Sequence, residues 1–116
     1  MAHTPLDIAG WPSVPSVAFT AHDDAMSGFN IEIATTNFRF APEHVNGPVL
    51  ANEGHAHIYV DGTKVARVYG NWFHVPKEAF KTAGKHEIRV TLNANDHSDL
   101  SSGGDVIDAK QTITTN

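Results

Sequence analysis

The sequence predicts an all-β domain, an antiparallel β-sandwich of immunoglobulin or cupredoxin type with about seven strands and one short helix. Short segments alternate apolar and polar residues, turn signals such as Asp61-Gly62 separate them, and one stretch alone carries helix signals. At 116 residues the chain is long enough for one domain with one core. That domain is placed at residues 16–116, behind an extended lead-in at residues 1–15.

The lead-in contains Pro5, Pro12 and Pro15, with Gly10-Trp11 between them. Proline at this density blocks helix and interior strand, and Trp11 is expected to anchor the segment to the body. Residues 17–20 form the first strand. In residues 29–35, Phe29, Ile31 and Ile33 share one face and Asn30 and Glu32 the other. Residues 37–42 repeat the alternation and stop at Pro42. Residues 55–60 set Ala56, Ile58 and Val60 against His55, His57 and Tyr59, and the Asp61-Gly62 turn leads into a returning strand at 64–69. Residues 76–83 are the helix, with proline at the start, Phe80 inward and Gly84 past the end. Residues 86–94 are the clearest strand. There Ile88, Val90, Leu92 and Ala94 oppose Arg89, Thr91 and Asn93. Residues 106–115 close the set, with no internal repeat, low-complexity tract or linker.

Composition removes several function classes. Eight Lys and Arg against thirteen Asp and Glu give a net charge of −5, which does not suit phosphate-backbone binding, so nucleic acid is not an expected partner. No apolar run approaches roughly 18 residues, so no membrane-inserting helix is expected. The absence of cysteine excludes disulfides, thiolate zinc sites, cysteine nucleophiles and blue copper. The opening Met1-Ala2-His3-Thr4 lacks the basic and apolar regions of a signal peptide. That leaves a cytosolic chain, or a mature chain with a new start methionine.

Histidine is the unusual residue, with eight copies. In a strand, His55 and His57 project from the same face with Cα atoms ~6.6 Å apart, close enough to converge on one ion. The competing reading is two solvated residues on an ordinary strand. His97 continues the parity of Arg89, Thr91, Asn93 and Asn95, which sets it near the rim where His55 enters. Asp96 beside it is suited to orienting an imidazole, although Asn95-Asp96-His97 is also good turn chemistry. Met26 sits in the polar loop Asp23 to Gly28. A thioether beside imidazoles favours copper, whereas a packing role would make it a gap-filler. His74 follows two aromatics and is a further candidate, as ligand or supporting residue. His3, His22, His44 and His86 read as surface, and Glu53 and Asp61 as loop and turn residues.

The segments Glu53 to Gly62, Ala66 to Gly70 and Val90 to His97 resemble small bacterial secreted or periplasmic immunoglobulin-like or cupredoxin-like modules with GHxHxYVDG and VTLNxNDH patterns. The likeness covers roughly residues 16–115. It implies a β-sandwich outside the cytoplasm, and it implies copper or another transition metal at His55, His57 and His97. The His-x-His strand is also similar to that of copper-zinc superoxide dismutases. The cysteines and the dense zinc loop of that family are absent, which argues against dismutase activity.

The expected function is therefore metal binding rather than catalysis. The protein would be a periplasmic or secreted copper carrier or buffer that exchanges its ion at Met26, His55, His57 and His97, with zinc as the alternative ion. A metal-donor or metal-acceptor protein is the expected partner, and the chain is expected to be a monomer or weak dimer. The alternatives are a structural or adhesive immunoglobulin-like module with bystander histidines and, further off, a small copper or zinc enzyme. Metal affinity is expected to fall as pH drops through ~6.5, where imidazoles ordinarily protonate.

Overall fold

A computed structural model describes residues 5–116, so His3 and the first part of the lead-in lie outside the described residues. Eleven strands run through them: β1 (Leu6–Asp7), β2 (Ser16–Asp23), β3 (Phe29–Thr36), β4 (Arg39–Phe40), β5 (Glu53–Val60), β6 (Thr63–Val68), β7 (Trp72–Val75), β8 (Gly84–Asn93), β9 (Leu100–Ser102), β10 (Asp105–Val106) and β11 (Asp108–Thr115). The fold is all-β, as the alternation predicts.

The larger sheet runs β11-β8-β5, with β6 and the short β4 both pairing along the far side of β5. The smaller sheet is β2-β3-β7. Phe19, Phe29, Ile31, Ile33 and Val75 from the smaller sheet form one buried core with Ala56, Ile58, Val60, Val68, Ile88, Val90 and Leu92 from the larger. Register explains the selection. Ala56 lies opposite Leu92, Ile58 opposite Val90 and Val60 opposite Ile88, so the apolar residues of β5 and β8 share the inward face. A third small sheet, β1-β9-β10, adds Leu100 to the core.

The structure departs from or adds to these expectations at four places. The stretch at 76–83 is not a helix: it contains one 3-10 turn, Lys77–Ala79, and Phe80 is already extended at φ −102° and ψ 100°. Pro76 and Gly84 bracket a segment too short to pay for helix nucleation, and burial of Phe80 under His86 holds it in place. The lead-in contributes a strand, because Leu6 and Asp7 pair in parallel with Leu100 and Ser101. Trp11 does pack partly buried against the core. Residues 72–75, which carry two aromatics, form β7 and pair with β3. The pairing is also not purely antiparallel, since β1 with β9 and β4 with β5 run parallel.

Candidate metal centre

The face of the larger sheet turned away from the core carries the site. His55 lies opposite Asn93 and His57 opposite Thr91, so both imidazoles project from the same side, as strand parity predicts. They are not solvated, however. His55 is 1% and His57 3% exposed. Rings cover one another there: His55 packs at 4.8 Å from His57, 4.8 Å from His97 and 5.6 Å from Tyr69. His57 also lies 6.0 Å from His97.

His97 arrives by a turn and not by strand parity. β8 ends at Asn93, and the His97 amide donates to the Ala94 carbonyl at 2.8 Å with His97 at φ 74°. Asn93, on the histidine face, donates from Nδ2 to the His97 carbonyl at 3.1 Å and to Asp99 Oδ1 at 2.6 Å. The turn is thereby folded back over that face. Asp96 does not orient an imidazole here; its Oδ1 accepts from the Ser98 amide. The oxygen beside His97 Nε2 is Asn46 Oδ1, at 2.5 Å.

His55, His57 and His97 each offer a ligand nitrogen, and these nitrogens lie within 4.8 Å of one another. The Nε2 atoms of His55 and His57 are 3.0 Å apart. With metal–nitrogen bonds of ~2.0–2.1 Å, such a pair subtends roughly 91–97° at an ion. His55 Nδ1 is buried without a hydrogen-bond partner, a costly state for an imidazole nitrogen. Burial pushes the His55 imidazole down to about 4, helped by His97, Arg67 and Lys64. Burial likewise pushes His57 down to about 3, with Lys64 the next cause. Both rings are therefore neutral at physiological pH, the form that binds metal.

A second cluster braces the site. Glu53, on the same face of β5, is buried; its carboxylate accepts from Asn95 Nδ2 at 3.0 Å and Arg39 at 3.1 Å and meets His44 Nδ1 in a very short contact. Burial pushes its carboxyl up, but the bonds from Asn95, His44 and Arg39 outweigh that and hold it low. Asn95 also donates to the Pro48 carbonyl, and Asn46 N–H donates to the Asn95 carbonyl. Residues 44–48 are thus pinned to the turn that carries His97. Glu53 is a buried tie, not a solvated loop residue.

Met26 is not brought to the histidines. It is 92% exposed and lines a hollow with Thr82, Ala83, Thr114 and Thr115. Thr115 pairs with Gly84 at the start of β8, whereas His55 pairs with Asn93 at its end. Ten residues of strand, ~30 Å, separate the two places. Asp24 explains the loop locally, because its Oδ1 accepts from the Met26 and Ser27 amides. His74 lies on the outer face of the smaller sheet, bonded to Asn30. His86 is buried, held by Asp61 at 2.5 Å and the Thr82 carbonyl at 2.6 Å, contrary to its expected surface position. Asn46, Tyr69, Glu53 and Asn93 join the site without having been singled out for it. Tyr69 stands in a segment already conspicuous in the sequence, and Glu53 shares the parity of His55 and His57. Asn46 carries no local signal.

No protein-family model matches the chain, and no curated protein or solved structure matches it.

Proposed function

We propose that the protein is a transition-metal-binding protein that holds copper at His55, His57 and His97 and acts as a carrier or buffer outside the cytoplasm. The observation that carries this reading is the convergence of three imidazoles, two from one strand and one from a turn, the strand pair buried and neutral. Three imidazole nitrogen donors suit copper and zinc, and do not suit calcium or magnesium, which prefer oxygen. Affinity order for one nitrogen site places Cu(II) above Zn(II). Without Met26 the thioether argument for Cu(I) is gone, so the oxidation state favoured by the donor set is Cu(II). Exchange would proceed at His97, the half-buried ligand on a turn, while His55 and His57 stay enclosed. The location outside the cytoplasm is supported by the sequence resemblance alone.

The test is competition of Cu(II) and Zn(II), in parallel, against chromophoric chelators, with thermal melts of the same samples. The expected result is one tightly held copper per chain, bound more tightly than zinc, and a rise in melting temperature. Binding stabilises by RT ln(1 + [L]/Kd), about 2.7 kcal/mol at a hundredfold excess over Kd. Zinc preferred over copper would replace the copper reading with a zinc site. Failure of both ions to compete would leave an immunoglobulin-like module with a structural histidine cluster.

A further inference from the structure

His97 differs from the other two ligands in how its ring is held. Its Nε2 lies 2.5 Å from Asn46 Oδ1. A carboxamide oxygen only accepts, so a neutral His97 bonded in this way carries its proton on Nε2. The lone pair is then on Nδ1. His55 and His57 present Nε2 to each other instead. Asn46 is itself held in place: its N–H donates to the Asn95 carbonyl at 2.8 Å, and Asn95 is anchored in turn to Pro48 and Glu53. It sits at φ 69°, a left-handed conformation that asparagine tolerates better than most residues.

We propose that Asn46 is a positioning residue of the metal centre: its side-chain oxygen holds the Nε2 proton of His97 and so makes Nδ1 the donor, against Nε2 donors from His55 and His57. The inference rests on the metal-binding reading above. Fixing the tautomer does two things. It removes the alternative in which His97 turns its proton toward the ion, and it raises the basicity of the donating nitrogen. The same hydrogen bond ties the exchangeable ligand to residues 44–48.

The experiment is long-range 1H–15N correlation NMR on 15N-histidine-labelled protein, first without metal and then with one equivalent of Zn(II), a diamagnetic probe. In the metal-free wild type, His97 is expected as the Nε2–H tautomer. With zinc, Nδ1 of His97 is expected to take the metal-bound shift while Nε2 keeps its proton. Asn46→Gly removes the acceptor without straining φ. It is expected to mix the two tautomers and to weaken zinc binding by about 10–100-fold, the usual effect of losing such a partner. Asn46→Asp restores an acceptor oxygen and is expected to restore both the tautomer and the affinity. An Nδ1–H tautomer in the wild type, zinc on His97 Nε2, or unchanged affinity in Asn46→Gly would each overturn the inference while leaving the metal site standing. No zinc uptake by the wild type, together with no copper uptake, would overturn the metal reading itself and this inference with it.

Discussion

At the scale of single residues, the three histidines divide into a preset pair and a ligand on a turn. His55 and His57 are enclosed and held neutral by burial, so they are ready donors, and His97 completes the set from a half-buried position. Replacing His97 with alanine is expected to weaken zinc binding by more than the 10–100-fold that loss of an outer hydrogen bond costs, while metal-free stability falls less than in the His57 variant. Replacing His57 with alanine removes a donor and empties space in a closed layer, so metal uptake falls and metal-free stability falls by about 1–3 kcal/mol. Chelator competition and thermal melts on the two variants check this. Equal loss of metal-free stability in both would contradict the division. Strand parity made His55 and His57 legible, because a period of two survives in the sequence. Their burial was not legible, since what covers a face comes from elsewhere in the chain. His97 was found by extrapolating a strand that in fact ends four residues earlier, at Asn93. Met26 shows the opposite failure, in which a chemically suitable residue type carries no information about where its loop lies.

At the scale of elements, β5 and β8 are the frame, and Gly54 is a position where the backbone of β8 leaves no room for a side chain on β5. A Cβ on Gly54 would stand 1.9 Å from the Asn93 carbonyl oxygen, a backbone atom that cannot turn aside. The glycine of the Gly54-His55-Ala56-His57 segment is thus explained by close approach of two strands, next to the residues that carry the site. Gly54→Ala is expected to push β5 from β8, costing about 2–4 kcal/mol and abolishing metal uptake. Gly62 is the control. Its φ is +83° with open space around it, so Gly62→Ala should cost only about 1–2 kcal/mol and leave binding intact. Urea unfolding and metal titration of both variants test the contrast, and similar losses at the two glycines would refute it. Long alternating strands were legible for the same reason as the histidine pair: β3, β5 and β8 bury one face against the other sheet. The short strands β1 and β9 were not, because tertiary pairing selects them and two or three residues show no period, whereas β4 falls within the alternation at 37–42. The helix expected at 76–83 failed because end signals without several turns of amphipathic sequence do not overcome nucleation.

At the scale of the whole molecule, the buried imidazoles couple stability to pH. The ordinary histidine value is 6.5, and His55 and His57 are pushed down to about 4 and about 3 when folded. Between those limits the unfolded chain binds more protons than the folded one, so unfolding free energy rises with pH. The stability these rings permit is complete above pH 6.5 and is lost as pH falls toward 4. Across its full window the His55 shift corresponds to on the order of 3 kcal/mol and the larger His57 shift to on the order of 5 kcal/mol. His86 acts with the opposite sign. Its hydrogen bond to Asp61, then that to the Thr82 carbonyl, raise its value, so its contribution is present below 6.5 and lost as pH climbs through the raised value. The metal-free protein is therefore expected to lose stability steadily from pH 7 to pH 5, faster than His86 can compensate. His57→Gln keeps a polar side chain of similar reach but has no proton to take up, so its urea midpoint should fall less over the same interval. Saturating zinc should flatten the wild-type slope as well, because an ion on the ring nitrogens excludes the proton. Equal slopes for wild type and His57→Gln would place the acid sensitivity elsewhere. The expected onset of metal loss shifts too: for His55 and His57, protons compete for the ring nitrogens only near pH 4 and below, not near 6.5. The enclosed pair is thus expected to keep its hold on an ion in mild acid, while the fold around it grows less stable.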